Sequence, residues 1–415
     1  MSFLQKKNAH PHIKYLISAI FILIIASLIP LLKNYGSINV WSDVFIPFLP
    51  EHSQKMTYEW LDRGNGEYFI NTYRVWMYIL VPFKKLGLSI YQVGFLLQFS
   101  IFFLSGFGIY KIFSLIEGRY SLLGLIPALF FIYSPHLLDH HLYQIGTIGA
   151  VWVTYYFIKF IILKKFTFRD AILANLFFAS IIDLPNPKYH FLVVLTIVFI
   201  LSFSLISRVI TFSDIKANLK NLVIFILISS YLLLPLGYFA YSFQHFNPTT
   251  INTKQGYGTS GETLDYDVAH IHKMMRLFHT PNLDVKSGEL INTTFYFFSY
   301  YLIPIIILGI FPFVIFKTTG RKKGIYLVIY ATALCFIFLS KSSNPPFGFI
   351  YENLLSVQSF AFMRTTAGIV LYAAVFYAII YGLLFSYLHK HFRHKFITLT
   401  IFLILISIWG FPLWS

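Results

Sequence analysis

Apolar runs long enough to cross a bilayer recur from one end of this chain to the other, and they decide its fold class. Ile13 to Leu32, Ile90 to Ile112 and Thr366 to Tyr387 are examples. Each approaches the roughly 20 residues that a hydrocarbon core of about 30 Å requires. Backbone polar groups at that depth must be satisfied within the segment or in a closed barrel, and continuous rather than alternating runs select helices. The charge content agrees: 12% of the 415 residues are charged, against roughly 25% in soluble globular chains.

The sequence therefore predicts an all-α polytopic membrane protein with about eleven transmembrane helices. The expected spans are 13–32, 90–112, 119–135, 145–163, 167–183, 188–207, 222–243, 296–316, 325–340, 366–387 and 396–413. Residues 1–415 read as a single transmembrane domain with large outer loops at 33–74 and 244–295, and with neither a separate soluble domain nor an internal repeat. The first run follows Lys6, Lys7 and Lys14 and lacks a small-residue cleavage site. It reads as a retained helix rather than a removed signal. Cys335 is the only cysteine, so no intrachain disulfide forms.

Orientation follows the basic residues. With the N-terminus cytoplasmic, the inner loops hold Lys111 and Arg119, then Lys164, Lys165 and Arg169, then Arg208, Lys216 and Lys220. Later inner loops hold Lys317, Arg321, Lys322 and Lys323, then Lys390, Arg393 and Lys395. Every carboxylate except Glu117, Asp170 and Asp214 falls outside, where chemistry can use it. Val75 to Leu86 is apolar but short, contains Pro82, and reads as an interfacial or re-entrant helix on the outer side. The formal charge of +16 is concentrated in the inner loops. There it faces anionic lipid head groups, and no nucleic-acid partner is implied.

Candidate chemistry gathers at outer helix ends. Asp43 follows Trp41 soon after the first helix, near the membrane surface. A carboxylate there can serve as general base towards a substrate hydroxyl, or it can cap a helix. In DLPNPKYH (183–190), Pro187 fits the first turn of the next helix with Asn186 as its cap, and Lys188 and His190 lie in that turn. A helix N-terminus with an added ammonium suits phosphate, whereas the plainer reading is a lysine reaching the interface. Arg364 likewise opens a helix on the outer face. Its charge opposes the local dipole unless an anion is present, and its guanidinium can hold phosphate oxygens bidentately.

Asp62, Arg63, Glu67, His140, His141, Tyr143 and Asp183 are further outer-loop groups able to contact a donor or acceptor. The first three also suit a solvated ion pair around the turn Gly64-Asn65-Gly66. His136, Asp139, His140 and His141 form one cluster, and His270 and His272 lie near Asp265 and Asp267. Imidazole and carboxylate are suitable donors for a divalent cation, but neither spacing is diagnostic.

These features together resemble the GT-C class of membrane glycosyltransferases. One helix, a long outer loop opening with W-S-D (41–43), then an interfacial segment and a helix pair carry the resemblance. DLPNPKYHFL (183–192), NPPFG (344–348) and MRTT (363–366) are most similar to the alpha-arabinofuranosyltransferase and YfhO-like branches. Met363, Thr366 and Gly368 stand where those branches commonly have Phe, Pro and Lys, so Arg364 is the identity carried over. The resemblance implies a GT-C-like fold and transfer of a sugar from a polyprenyl-phosphate donor to an acceptor hydroxyl on a glycan, glycolipid or protein. It implies that Asp43 is the catalytic base and that the chain is a minimal or shortened member of its class. The rival expectation is a transporter or flippase of lipid-linked saccharides, which would carry midplane charges or helix breaks and often inverted repeats.

Overall fold

The computed structural model describes residues 9–33, 85–88, 90–134, 145–180, 188–231, 305–340 and 367–410, together with a few single positions. Every regular element among the described residues is helical. They are α1 (Ala9–Lys33), α2 (Ile90–Glu117), a 3-10 turn (Leu122–Gly124), α3 (Leu125–Ile132), α4 (Ile145–Leu163), α5 (Phe168–Ser180), α6 (Lys188–Ile206) and α7 (Phe212–Ala217). They continue with α8 (Leu219–Tyr231), a π-helical turn (Ile305–Ile310), α9 (Phe311–Lys317), α10 (Gly320–Ser340), α11 (Ala367–His391) and α12 (Lys395–Trp409).

Each expected span coincides at least in part with a described helix. Among the described residues, four helices are long and apolar enough to cross a membrane: those holding Gln98–Glu117, Gly146–Leu163, Gly320–Ser340 and Ile369–His391. Helices α1 and α12 have apolar faces that no described residue covers. In α1, Ile13, Ile17, Phe21 and Ile25 are exposed at four-residue spacing, while Ala19, Leu23 and Ala26 are buried. In α12, Phe396, Ile397, Ile401 and Ile404 are exposed, while Phe402, Leu405 and Trp409 are buried. Stripes of this kind are unstable in water and at home in hydrocarbon. The chain is a membrane protein.

Helix α11 is the hub. It packs against α2, α3, α6, α9, α10 and α12, and 94% of its apolar window is buried. A helix apolar all round fits such a central place. Phe130 of α3 stacks on Tyr381 of α11 and Trp409 of α12, with ring centroids 4.1 and 5.1 Å apart. Tyr381 donates its hydroxyl to the Phe402 carbonyl at 2.7 Å, so its polar tip is satisfied within the packing.

Gly382 lets α3 approach α11. A Cβ added there would stand 2.6 Å from Cγ and 2.7 Å from Cβ of Pro127, a ring that cannot rotate away. Small residues serve close helix contacts in membranes in this way. Gly382→Ala is expected to lower stability by about 1–3 kcal/mol through overpacking, read as an earlier thermal unfolding in detergent. An unchanged midpoint would mean that α3 slides aside freely.

Several boundaries differ from the sequence expectation, three of them with a clear local cause. Helix α2 runs to Glu117 rather than ending at 112, because a Schellman turn closes it. Gly118 takes φ +73°, the Arg119 amide donates to the Ser114 carbonyl at 3.0 Å, and the Gly118 amide donates to that of Leu115 at 3.3 Å. The expected span 119–135 is not continuous. Ser121 is extended, and the α-helix proper begins only at Leu125, after the 3-10 turn. Helix α10 begins at Gly320, taking Arg321, Lys322 and Lys323 into its first turn.

Candidate functional site

Helix α6 is described from Lys188, the residue that follows DLPNP. His190, one turn in, is 1% exposed. Its ring meets Phe178 of α5 edge to face, at a centroid distance of 5.0 Å, and Phe178 in turn meets Phe225 of α8. Neither ring nitrogen of His190 has a hydrogen-bond partner among the described residues. An unpartnered buried polar group costs about 1–3 kcal/mol, so a hydrogen-bonding ligand atom at this ring would be stabilising. Lys188 is placed by its backbone. Asp43, Asp62, Arg63, Glu67, His140, His141, Tyr143, Asp183 and Arg364 lie outside the described residues, as do His136, Asp139, Asp265, Asp267, His270 and His272. Among the described residues no group of three His, Cys, Asp or Glu side chains is arranged to hold a metal.

The opposite kind of site, rich in cations, stands at the helix ends that carry the expected inner loops. Those loops are tied together across long stretches of chain. Lys164 pairs with Asp214 at 3.0 Å. The Phe166 amide donates to Asn218 Oδ1 at 2.7 Å, and Asn221 Nδ2 donates to the Phe166 carbonyl at 2.6 Å. Arg321 donates to the Ile161 carbonyl at 2.7 Å, and Lys322 pairs with Glu117 at 2.7 Å. One end of the bundle therefore gathers basic residues that are far apart in sequence.

Asp214 also closes a capping box with Thr211 at the start of α7. The Lys164 ammonium and the Thr211 amide hold its carboxyl below the usual carboxylate range. Stability from this group is complete above the ordinary aspartate pKa of about 3.9 and is lost as pH falls through the depressed folded value. Asp214→Asn is expected to cost at most about 1 kcal/mol near neutrality, with the difference from wild type vanishing in acid. Parallel melting curves from pH 7 down to pH 3 check this; a difference constant across that range would refute it.

Between the loops lies a cleft of about 810 Å³. Glu117 and Arg119 line it from the end of α2, Lys317 from α9, Lys322 and Tyr326 from α10, His389, Lys390 and His391 from α11, and Lys395 from α12. The sequence marked most of these cations only as orientation signals. Their convergence was not visible, because it depends on packing between segments more than 200 residues apart. No protein-family model matches the chain, and no curated protein matches it in sequence. Function has to be argued from the residues themselves.

Proposed function

We propose that this chain is a GT-C-type membrane glycosyltransferase that moves a sugar from a polyprenyl-phosphate donor to an acceptor hydroxyl on the outer face. The observation that carries the reading is His190: a buried imidazole with no described partner, in the first turn of a helix whose N-terminus suits phosphate. A ligand oxygen accepting from that ring would repair the deficit. In this reading the neighbouring Lys188 supplies an ammonium to the same ligand.

In this reading Asp43 takes the proton of the acceptor hydroxyl, and the freed oxygen bonds to the anomeric carbon. The bond from that carbon to the phosphate oxygen breaks, and polyprenyl phosphate departs with the electron pair. Lys188, His190 and Arg364 stabilise the charge that gathers on it, the kind of preorganised contribution worth about 3–4 kcal/mol for a good donor. Purified chain incubated with a labelled polyprenyl-phosphate sugar and an acceptor lipid or glycan is expected to form a new glycoconjugate. Persistent absence of turnover with varied donors would defeat the reading.

One observation favours a second reading, a transporter or flippase of lipid-linked saccharides. The helix entering α9 is π-helical over Ile305–Ile310, and irregular turns in membrane helices accompany moving elements and binding sites. The same labelled donor in proteoliposomes separates the two. Transbilayer movement without a covalent product supports transport.

A further inference from the structure

We propose that the basic cleft is a binding site for a phosphate-bearing anion, separate from the sugar-transfer site and independent of that reading. Five lysines and arginines line it, Arg119, Lys317, Lys322, Lys390 and Lys395, against the single carboxylate of Glu117. Glu117 is already engaged, accepting from Lys322 at 2.7 Å and from the Tyr326 hydroxyl at 3.1 Å. Among the described residues the other four cations have no carboxylate within 4.0 Å. Like charges held round one concavity repel, and among the described residues Glu117 is the one carboxylate lining it.

Helix geometry sharpens the mismatch. Lys317, Lys390 and His391 sit in last turns, where a positive charge suits the dipole. Lys322 and Lys395 sit in the first turns of α10 and α12, where it does not. The α12 start has no side-chain cap. The Thr318 hydroxyl, at the cap that ends α9, donates to the Val314 carbonyl at 2.6 Å. One uncapped helix start and four cations without a carboxylate partner among the described residues thus border one cleft. His389, on the cleft wall, has a buried Nδ1 with no partner among the described residues.

A dianionic phosphate or a diphosphate answers all of these deficits together. It takes bidentate contacts from arginine, point contacts from lysine and amide contacts from helix starts. A volume of about 810 Å³ admits such a group with substituents attached. Lys216 and Lys220, by contrast, are exposed on α7 and α8 and line no part of the cleft. The ligand is either the head group of an anionic phospholipid or a soluble phosphate compound.

The full chain in phosphatidylcholine nanodiscs, titrated with inorganic pyrophosphate, supplies one arm, and nanodiscs with added phosphatidylglycerol supply the other. Thermal unfolding is read in both. Pyrophosphate or phosphatidylglycerol is expected to raise the midpoint. Lys390→Gln with Lys395→Gln is expected to weaken that effect at least about tenfold, while Lys216→Gln with Lys220→Gln leaves it intact. Both substituted pairs are exposed, so the fold is retained, as the ligand-free midpoint checks. Stabilisation in the pyrophosphate arm names a soluble ligand, and stabilisation in the phosphatidylglycerol arm alone names a lipid. No stabilisation in either arm, or equal loss in both double variants, overturns the proposal.

Discussion

Asp170→Ala is expected to destabilise the fold by about 2–4 kcal/mol. Asp170 is 3% exposed, and its carboxylate accepts from Lys159 Nζ at 2.6 Å. It also accepts from the Thr167 hydroxyl at 2.7 Å and the Thr167 amide at 3.0 Å. Its own amide donates to the Thr167 hydroxyl at 3.2 Å, completing a reciprocal cap at the start of α5. Alanine removes the cap, worth about 0.5–2 kcal/mol, and leaves the Lys159 ammonium in α4 without its counter-charge. Breaking a fully buried pair costs about 3–5 kcal/mol; Lys159 is 27% exposed, so water recovers part of that. Asp170→Leu combined with Lys159→Met is expected to be milder than Asp170→Ala, because no charge is then stranded. Unfolding in detergent measures both. An alanine variant as stable as wild type would show that the pair between α4 and α5 does not hold the bundle.

The same cluster shows where sequence reading reached and where it stopped. Arg169 and Asp170 stand at the start of the expected span 167–183, where charge is costly in a membrane helix. The structure turns that apparent defect into the cap that begins α5 and the bridge that fixes it to α4. The described helices α4 (Ile145–Leu163) and α6 (Lys188–Ile206) lie within the expected spans 145–163 and 188–207, because an apolar run bounded by polar loops leaves few alternatives. Helix ends were less legible. Lys111 suggested an exit from the membrane near residue 112, but its ammonium finds the Tyr120 hydroxyl, and the helix continues to the glycine that stops it.

Sites were least legible of all. Loop polarity points to candidates, whereas convergence depends on tertiary packing that periodicity does not encode. Lys317, Lys390 and Lys395 were counted as orientation signals, and only the folded chain brings them round one cleft with Arg119. His190 was expected at a helix start open to phosphate. It does open α6, yet it is buried against Phe178, a placement that a two-residue spacing from Lys188 could not foretell.

Asp43→Asn is expected to leave the chain inserted and folded while lowering sugar transfer by about 10²–10⁴-fold, the span that general-base catalysis supplies. The amide keeps the size of the side chain but cannot take up a proton at neutral pH. If Asp43 were only a helix cap, asparagine would replace it with little loss, since both residues cap well. The substitution therefore separates the two roles that the sequence leaves open. His190→Phe provides the contrast: a buried aromatic ring of similar shape that offers no hydrogen bond. It is expected to raise KM for the lipid-phosphate donor, whereas Asp43→Asn lowers kcat at saturating donor. Wild-type transfer by Asp43→Asn would exclude it as the base, and an unaltered donor KM in His190→Phe would detach the buried imidazole from the phosphate.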